Sequence, residues 1–213
     1  MRRLALVDSS LDNFTGELPS RLLRFFHERE HALAFLDGCV RLGELEGYRR
    51  MEGARGDPSE AEGRLIVPGE NDRPVTYSTQ MHQPTYILSC CHPSVDLQAM
   101  ALRFGRFLVR LADADGLAVS LYRHLIQHAA AGRTLHFGDR GPIDYSKDQA
   151  VRFTPTRADR IRLNWIQKQP EPYSPEREYR IAFICEGVRS DAAKYICIPL
   201  STPVEGKLEE VLL

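Results

Sequence analysis

Residues 175–183 read PEREYRIAF, in which two glutamates one residue apart lead into an apolar strand. Because side chains alternate between the two faces of a strand, we expect Glu176, Glu178 and Arg180 to share one face at intervals of about 7 Å. Three charges on one face are rarely buried without a purpose. Two interpretations follow: an exposed edge strand with a Glu178–Arg180 ion pair, or paired acids at the mouth of a strand that serve acid–base chemistry.

The composition outside this stretch is that of a globular protein without a strong charge bias. The chain has 213 residues, 43% of them hydrophobic and 27% charged, with a formal net charge of −1. One substantial domain is expected, with no overall attraction to nucleic acid or to an anionic membrane. No apolar run approaches the roughly 18 residues of a membrane-spanning helix. Asp8 interrupts the short apolar stretch near the start, so we expect neither a membrane partner nor a signal peptide.

Cysteine usage points to a reducing compartment. Five cysteines, an odd number without a CxxC pair, stand mostly in apolar, strand-like segments: Cys39, Cys90, Cys91, Cys185 and Cys197. This pattern favours buried thiols in a cytoplasmic protein over disulfides or structural zinc. No HExxH motif is present in the sequence, and we expect no metal site.

Strand-like segments outnumber helical ones along the chain. β-forming residues predict strands at residues 21–27, 39–43, 65–67, 75–77, 86–91, 106–111 and 194–199, and a hairpin with arms at 135–138 and 143–145. Apolar periodicity predicts helices at residues 28–36, 95–103, 116–131 and 158–166, and a charged loop is expected at 47–63. We therefore predict a single α+β domain over residues 21–213, with a mostly antiparallel sheet and a few short helices, preceded by an arm at residues 1–20.

Three motifs resemble those of the ADP-ribosyltransferase-like fold. Residues 25–38 (FFHEREHALAFLDG) place His27 at the end of a strand, before a helix and a glycine turn. That family begins with a strand ending in His or Arg, a helix and an L..G turn. Its last motif, Q/E-x-E on a later strand, is matched by Glu176 and Glu178. Its middle motif is a strand ending in Ser-Thr-Ser, or in an aromatic residue or His; Ser89 is the candidate here, although Cys90 stands where the family has Thr.

The resemblance implies an ADP-ribosyltransferase-like fold and a reaction in which NAD is the substrate. Cleavage of the bond between nicotinamide and ribose passes through an oxocarbenium-like sugar, a cation that a carboxylate stabilises. By this resemblance, Glu178 holds a ribose hydroxyl and stabilises the cation. Glu176 takes a proton from the acceptor as general base.

The same resemblance implies a set of NAD-binding residues. His27 would hydrogen-bond the adenosine ribose, and Arg49 or Arg50 would contact the pyrophosphate, because a guanidinium fork suits two anionic oxygens. Tyr48 would stack on the nicotinamide ring. Ser89 would belong to the NAD-binding set through the middle motif.

A second resemblance is to a group of uncharacterised bacterial proteins, some of which are found near phage-defence genes. The sequences YRRME at residues 48–52, GDPSE at residues 56–60 and EYRI at residues 178–181 match the motifs that this group shares. This second resemblance names no activity by itself. Together with the transferase resemblance, it leads us to expect a toxin or phage-defence effector that modifies a nucleic acid or a protein acceptor, with an antitoxin as a further partner.

Two other functions fit parts of the sequence. One is a non-enzymatic binding module, in which the loop at residues 47–63 and the charged strand recognise a partner. The other is a ribonuclease, because RHLIQH at residues 123–128 is similar to the R-H-x-x-x-H motif of the HEPN ribonucleases. Arg123 and His128 lie about 140° apart around a helix, so they converge only through a bend or a partner subunit. The fold of that family is all-helical.

Overall fold

Strands dominate the secondary structure of the chain. The computed structural model describes residues 14–16, 18–49, 62–68, 73–80, 84–128, 134–145, 166–168, 170–186 and 195–213. The strands are β1 (Phe14–Gly16), β2 (Leu23–Phe26), β3 (Cys39–Glu44), β4 (Glu62–Pro68), β5 (Pro74–Gln80), β6 (Thr85–Cys91), β7 (Phe107–Leu111), β8 (Thr134–Pro142), β9 (Glu178–Glu186), β10 (Tyr195–Pro199) and β11 (Gly206–Glu210). The α-helices are α1 (Arg29–Leu36), α2 (Leu45–Arg49), α3 (Leu97–Phe104) and α4 (Ala114–His128), and a 3-10 helix spans Ser174–Glu176.

The main sheet contains nine strands within the described ranges. Seven of them run in the order β1-β8-β9-β6-β2-β7-β11, while β3 joins β6 and β10 joins β3. Every ladder in this sheet is antiparallel except the one between β1 and β8. β4 and β5 form a separate two-stranded antiparallel sheet. The prediction of an α+β fold with a mostly antiparallel sheet and few helices is confirmed.

The sheet forks at β6. One edge of β6 pairs with β9 along its whole length, from Thr85 to Cys91. The other edge is shared: Ile87 lies opposite Gly43 of β3, whereas Cys91 lies opposite Leu23 of β2. β2 and β3 therefore diverge from the same edge of β6.

Apolar clusters cover both faces of the sheet around this fork. Cys90 belongs to a large cluster that includes Phe35 of α1 and Leu121 of α4. Its neighbour Cys91 belongs to a smaller cluster that includes Met100 of α3. Because successive side chains on a strand point to opposite faces, α1 and α4 cover one side of β6 and α3 covers the other. Burial on both faces explains why β6 is apolar along most of its length.

The predicted hairpin at residues 135–145 is wrong. β8 runs without interruption to Pro142, and it pairs with β9 up to the Gly141–Arg180 and Pro142–Tyr179 positions. The DRGP sequence at residues 139–142 is a turn signal, but β9 offers a continuous antiparallel partner beside it. Tertiary pairing therefore overrides the local preference.

Helix boundaries differ from the predictions by a few residues. α3 begins at Leu97 because the Asp96 carboxylate accepts hydrogen bonds from the N–H groups of Gln98 and Ala99. α4 begins at Ala114, earlier than predicted. The start of the predicted loop at 47–63 is helical, in α2, and its end lies in β4; residues 50–61 lie outside the described ranges, as do residues 158–165 of a predicted helix.

The segment at residues 1–20 is described only near its end. Phe14–Gly16 forms β1, which pairs in parallel with Gly138–Arg140 of β8 at the edge of the main sheet. This part of the predicted arm therefore has a ladder partner and extends the sheet beyond β8.

Candidate functional site

The two glutamates of the opening motif come from different elements. Glu176 ends the 3-10 helix, and Glu178 is the first residue of β9. Arg177 between them has a left-handed backbone (φ 41°, ψ 52°), which turns the chain sharply into the strand. The prediction that Glu176 shares a strand face with Arg180 is wrong for this reason, whereas Glu178 and Arg180 do share one.

The charges of this segment are buried. Glu176, Glu178 and Arg180 are 3%, 4% and 2% exposed. β9 is an interior strand, flanked by β8 and β6. The interpretation of the segment as an exposed, charged edge strand is therefore wrong, and each of these charges needs a partner inside the protein.

The partners form a chain of alternating charges. Arg180 donates from Nε to Glu178 Oε1 (2.6 Å) and from Nη2 to Oε2 (3.2 Å). Lys168 Nζ donates to Oε2 of both Glu178 (3.1 Å) and Glu176 (2.9 Å). Arg103 Nη2 of α3 lies 2.9 Å from Glu176 Oε1. Three cations and two carboxylates thus alternate, and with both carboxylates ionised these five side chains together carry a net charge of +1.

The two carboxylates differ in their proton affinity. Burial by itself raises the pKa of Glu178, but the charges of Arg180 and Lys168, with hydrogen bonds from Arg180 and Ser89, outweigh burial and lower this pKa to about 2. Burial also raises the pKa of Glu176, where Lys168 offsets it only in part and the charge of Glu178 adds to it. Glu178 is held as an anion, while Glu176 holds a proton more readily than an ordinary glutamate does.

The charged chain faces a cavity of about 150 Å³ at the fork of the sheet. Four residues that sequence analysis placed in a site line it together: Tyr48, Ser89, Glu176 and Glu178. Sequence analysis did not select the other lining residues: Leu23, Arg24, Phe25, Cys90, Cys91, Phe104, Lys168 and Arg180.

Arg24 is the charged residue on the β2 side of the cavity. Its Nη1 donates to the backbone carbonyl of Ser89 (2.5 Å), so it links β2 to β6. Its guanidinium also lies 5.4 Å and 5.6 Å from the ring centroids of Phe26 and Phe35. An arginine inside the apolar run LLRFF was the signal available in the sequence, because a charged residue in a buried strand requires a partner.

The remaining predicted NAD-binding residues do not line the cavity as far as the structure describes them. His27 is exposed, in the bend between β2 and α1. Arg49 is the last residue of α2, but its side chain lies outside the description, and Arg50 lies outside the described ranges altogether.

Tyr48 is held by close packing at the fork. It packs against a small cluster of Leu45, Ile87 and Ala182. A Cβ atom on Gly43 would come within 2.5 Å of its hydroxyl oxygen. The absence of a side chain at Gly43 therefore gives the Tyr48 ring its place beside the cavity.

The two cysteines at the cavity, Cys90 and Cys91, are buried thiols with raised pKa values. Burial raises the pKa of the Cys90 thiol to about 11, and burial together with the Glu178 charge raises the pKa of Cys91. A thiol with a raised pKa carries little thiolate. The expectation of buried thiols is correct for these two residues and for Cys185, and wrong for Cys39 and Cys197, which are exposed.

The R-H-x-x-x-H segment lies elsewhere. Arg123 and His124 line a separate groove of about 790 Å³ between α4 and β10, whereas the side chain of His128 lies outside the description. The nine-stranded sheet does not match the all-helical fold that the ribonuclease resemblance implies.

Comparison of the chain with protein-family models, curated proteins and solved structures gives no match. In the ranges that the structure covers, no group of three His, Cys, Asp or Glu side chains is arranged to hold a metal ion. No helix in those ranges is long and apolar enough to cross a membrane. Any function of the site therefore has to be inferred from the arrangement of its own side chains.

Proposed function

We propose that this chain is an ADP-ribosyltransferase-like enzyme that cleaves NAD and transfers ADP-ribose to a nucleic acid or protein acceptor. The observation that carries the proposal is the meeting of Arg24, Ser89 and Glu178 at one cavity, from the neighbouring strands β2, β6 and β9. An arginine on an early strand, a serine on a middle strand and an E-x-E glutamate on a late strand are the motif residues of the family that the sequence resembles.

The division of labour between the two acids supports this chemistry. The bond between ribose C1′ and the nicotinamide nitrogen breaks, and neutral nicotinamide leaves with the bonding electrons. Glu178, an anion with a pKa of about 2, stabilises the oxocarbenium-like sugar and holds a ribose hydroxyl. The acceptor forms the new bond to C1′ and gives its proton to Glu176, whose raised pKa suits a general base.

The size of the cavity limits what it encloses. Pockets for whole small-molecule ligands measure roughly 300–1,000 Å³, and this one measures about 150 Å³. In the proposal it takes the nicotinamide-ribose end of NAD, with Tyr48 against the nicotinamide ring. Arg24 takes the role that the resemblance gave to His27, and Arg49 or Arg50, which follow Tyr48 in the chain, would contact the pyrophosphate.

The cellular role in the proposal follows from the second sequence resemblance. A chain of this group would act in the cytoplasm as a toxin or phage-defence effector, and an antitoxin would hold it in check. The discovery of a neighbouring gene that encodes a small antitoxin or a macrodomain would support this role.

The test is nicotinamide release from NAD by the wild-type chain and by Glu178→Gln. Loss of the carboxylate is expected to lower the rate by about 100-fold or more, as for the loss of other groups that stabilise transition-state charge. Glu209→Gln is the matched control, because Glu209 is a partly exposed acid on β11 that pairs with Arg110 of β7 and does not line the cavity. Circular dichroism confirms that each variant is folded at the assay temperature.

Intact NAD after long incubation of the wild-type chain with nucleic-acid and protein acceptors overturns the proposal. The alternative is then a non-enzymatic binding module. The ion pairs that link Arg103, Glu176, Lys168, Glu178 and Arg180 favour that alternative, since such networks also occur as purely structural features. A binding module predicts that a partner is captured while no small molecule is consumed.

A further inference from the structure

Lys168 bonds both acids of the motif. Its Nζ lies 2.9 Å from Glu176 Oε2 and 3.1 Å from Glu178 Oε2, and its side chain is 8% exposed. An ammonium group has three donors around one atom, so it can bond two carboxylates that approach from different directions. No sequence motif selected this lysine.

The ammonium group is held in place from several sides. The backbone N–H of Lys168 donates to the carbonyl of Asp144 (3.1 Å), and the preceding Gln167 forms a parallel β-bridge with Asp144. The Nζ atom of the ammonium group also lies 4.4 Å from the centroid of the Tyr173 ring. These contacts fix Nζ relative to β8, which directly precedes Asp144, and to the turn before β9.

The two carboxylates need such a link because the backbone between them is a sharp turn. Glu176 ends a three-residue 3-10 helix and Glu178 begins a strand, with left-handed Arg177 between them. Small rotations at this turn would change the distance between the carboxylates. A shared hydrogen-bond donor converts the two side chains into one rigid unit.

We propose that Lys168 is a positioning residue that holds the Glu176 and Glu178 carboxylates at a fixed spacing beside the cavity. Its catalytic consequence rests on the proposed NAD chemistry, whereas its effect on the two carboxylates does not. Displacement of a reacting group by about 1 Å costs on the order of 100-fold in rate. Removal of the lysine is therefore expected to lower kcat by about this factor, with a smaller change in KM.

The pH dependence follows from the charges that face Glu176. These are Lys168 itself, Arg103 from α3 and Glu178 from β9, with Arg180 on the far side of Glu178. Loss of the lysine removes a cation and leaves the repulsion from Glu178, so the pKa of Glu176 rises further. The acid limb of the rate profile then moves to higher pH, because a general base works only when it is deprotonated.

The experiment compares Lys168→Met with Lys168→Arg and with the control Lys207→Met, whose lysine is 78% exposed on β11. Carbon-13 NMR of labelled glutamate carboxyl groups measures the two titrations without turnover, and NAD consumption against pH measures the rate. We expect upward shifts of both glutamate titrations in Lys168→Met, partial recovery in Lys168→Arg and no shift in Lys207→Met.

Unchanged glutamate titrations in a folded Lys168→Met variant overturn the inference, even if NAD is consumed. Shifted titrations in a chain that never consumes NAD support the positioning role and overturn only the proposed function. If Lys168→Met does not fold, nitrogen-15 NMR of the lysine ammonium in the wild-type chain decides. Its signal is expected to change at the pH where Glu176 titrates, and a signal insensitive to that step contradicts the inference.

Discussion

At the scale of single residues, the site depends on an electrostatic contrast between two acids of the same type. Glu178 lies between Lys168 and Arg180, and its pKa falls to about 2. Glu176 also contacts cations, but burial and the charge of Glu178 raise its pKa. One short motif therefore places a carboxylate with a lowered pKa beside a carboxylate with a raised pKa, an arrangement that fits the proposed roles of the two acids.

This contrast has a consequence for acid stability. A carboxylate with a lowered pKa stabilises the folded state above its unfolded pKa of about 4.3, and the contribution is lost as pH falls through the folded pKa. The difference in free energy of unfolding between wild type and Glu178→Gln should therefore shrink by about 3 kcal/mol between pH 6 and pH 2. Urea denaturation at each pH measures it.

Glu209→Gln again serves as the control for this measurement. Arg110 donates to Glu209 at 2.7 Å on the surface of the sheet, and such pairs contribute at most about 1 kcal/mol. A wild-type minus Glu178→Gln difference that stays constant from pH 6 to pH 2 would show that Glu178 is not held as a buried anion.

At the scale of elements, α3 connects the charged chain to the fork. Its last turn carries Arg103, which pairs with Glu176 and donates to the carbonyl of Pro172 (3.0 Å). The helix ends at Gly105, whose φ of +107° is strained for any residue with a side chain. A Cβ atom there would lie 2.2 Å from the carbonyl oxygen of Phe26 in β2. The glycine thus lets α3 end directly against β2.

Gly105→Ala should consequently destabilise the protein by roughly 2–4 kcal/mol, from backbone strain and the clash with β2. Thermal unfolding should show a decrease in Tm of roughly 5–15 °C. Leu102→Ala, in the same helix but 73% exposed, should change Tm little. Equal effects of the two substitutions would contradict the role given to Gly105.

At the scale of the whole molecule, the fork in the sheet creates the site. β6 carries Ser89 between its ladders with β3 and with β2, and β9 brings Glu178 to the other edge. The order of strands in space differs from their order in the chain, so residues from distant segments meet there. The lining combines three cations with two acids, which favours a ligand that carries anionic groups.

A ligand that enters this fork stabilises the whole fold. NAD at 100 times its Kd should raise the free energy of unfolding by about 2.7 kcal/mol, or Tm by roughly 5–10 °C. Tyr48→Ala should reduce this shift. Tyr195→Ala is the control. Tyr195 lies on β10, where its ring stacks against the guanidinium of Arg41 from β3, and it does not line the cavity. A Tm that is unchanged up to millimolar NAD argues against the proposed substrate.

Much of the fold was predictable because its signals are local. Alternation and β-forming residues identified most of the strands, and periodicity identified α1, α3 and α4 within a few residues. The hairpin at residues 135–145 failed because the partner that keeps β8 extended, β9, lies far along the chain. For the site, Tyr48, Ser89 and the two glutamates were found from motifs, whereas Arg24 and Lys168 were not.

The sequence by itself determined the α+β class, a strand through residues 178–183 and the shared face of Glu178 and Arg180, because each depends on periodicity within a few residues. Only the tertiary structure decided that these charges are buried, that Arg177 turns Glu176 off the strand and that β6 forks. It also decided that Arg103, Lys168 and Arg24 reach the same place. Burial and ion pairing depend on which distant segments pack together, and no local pattern encodes that.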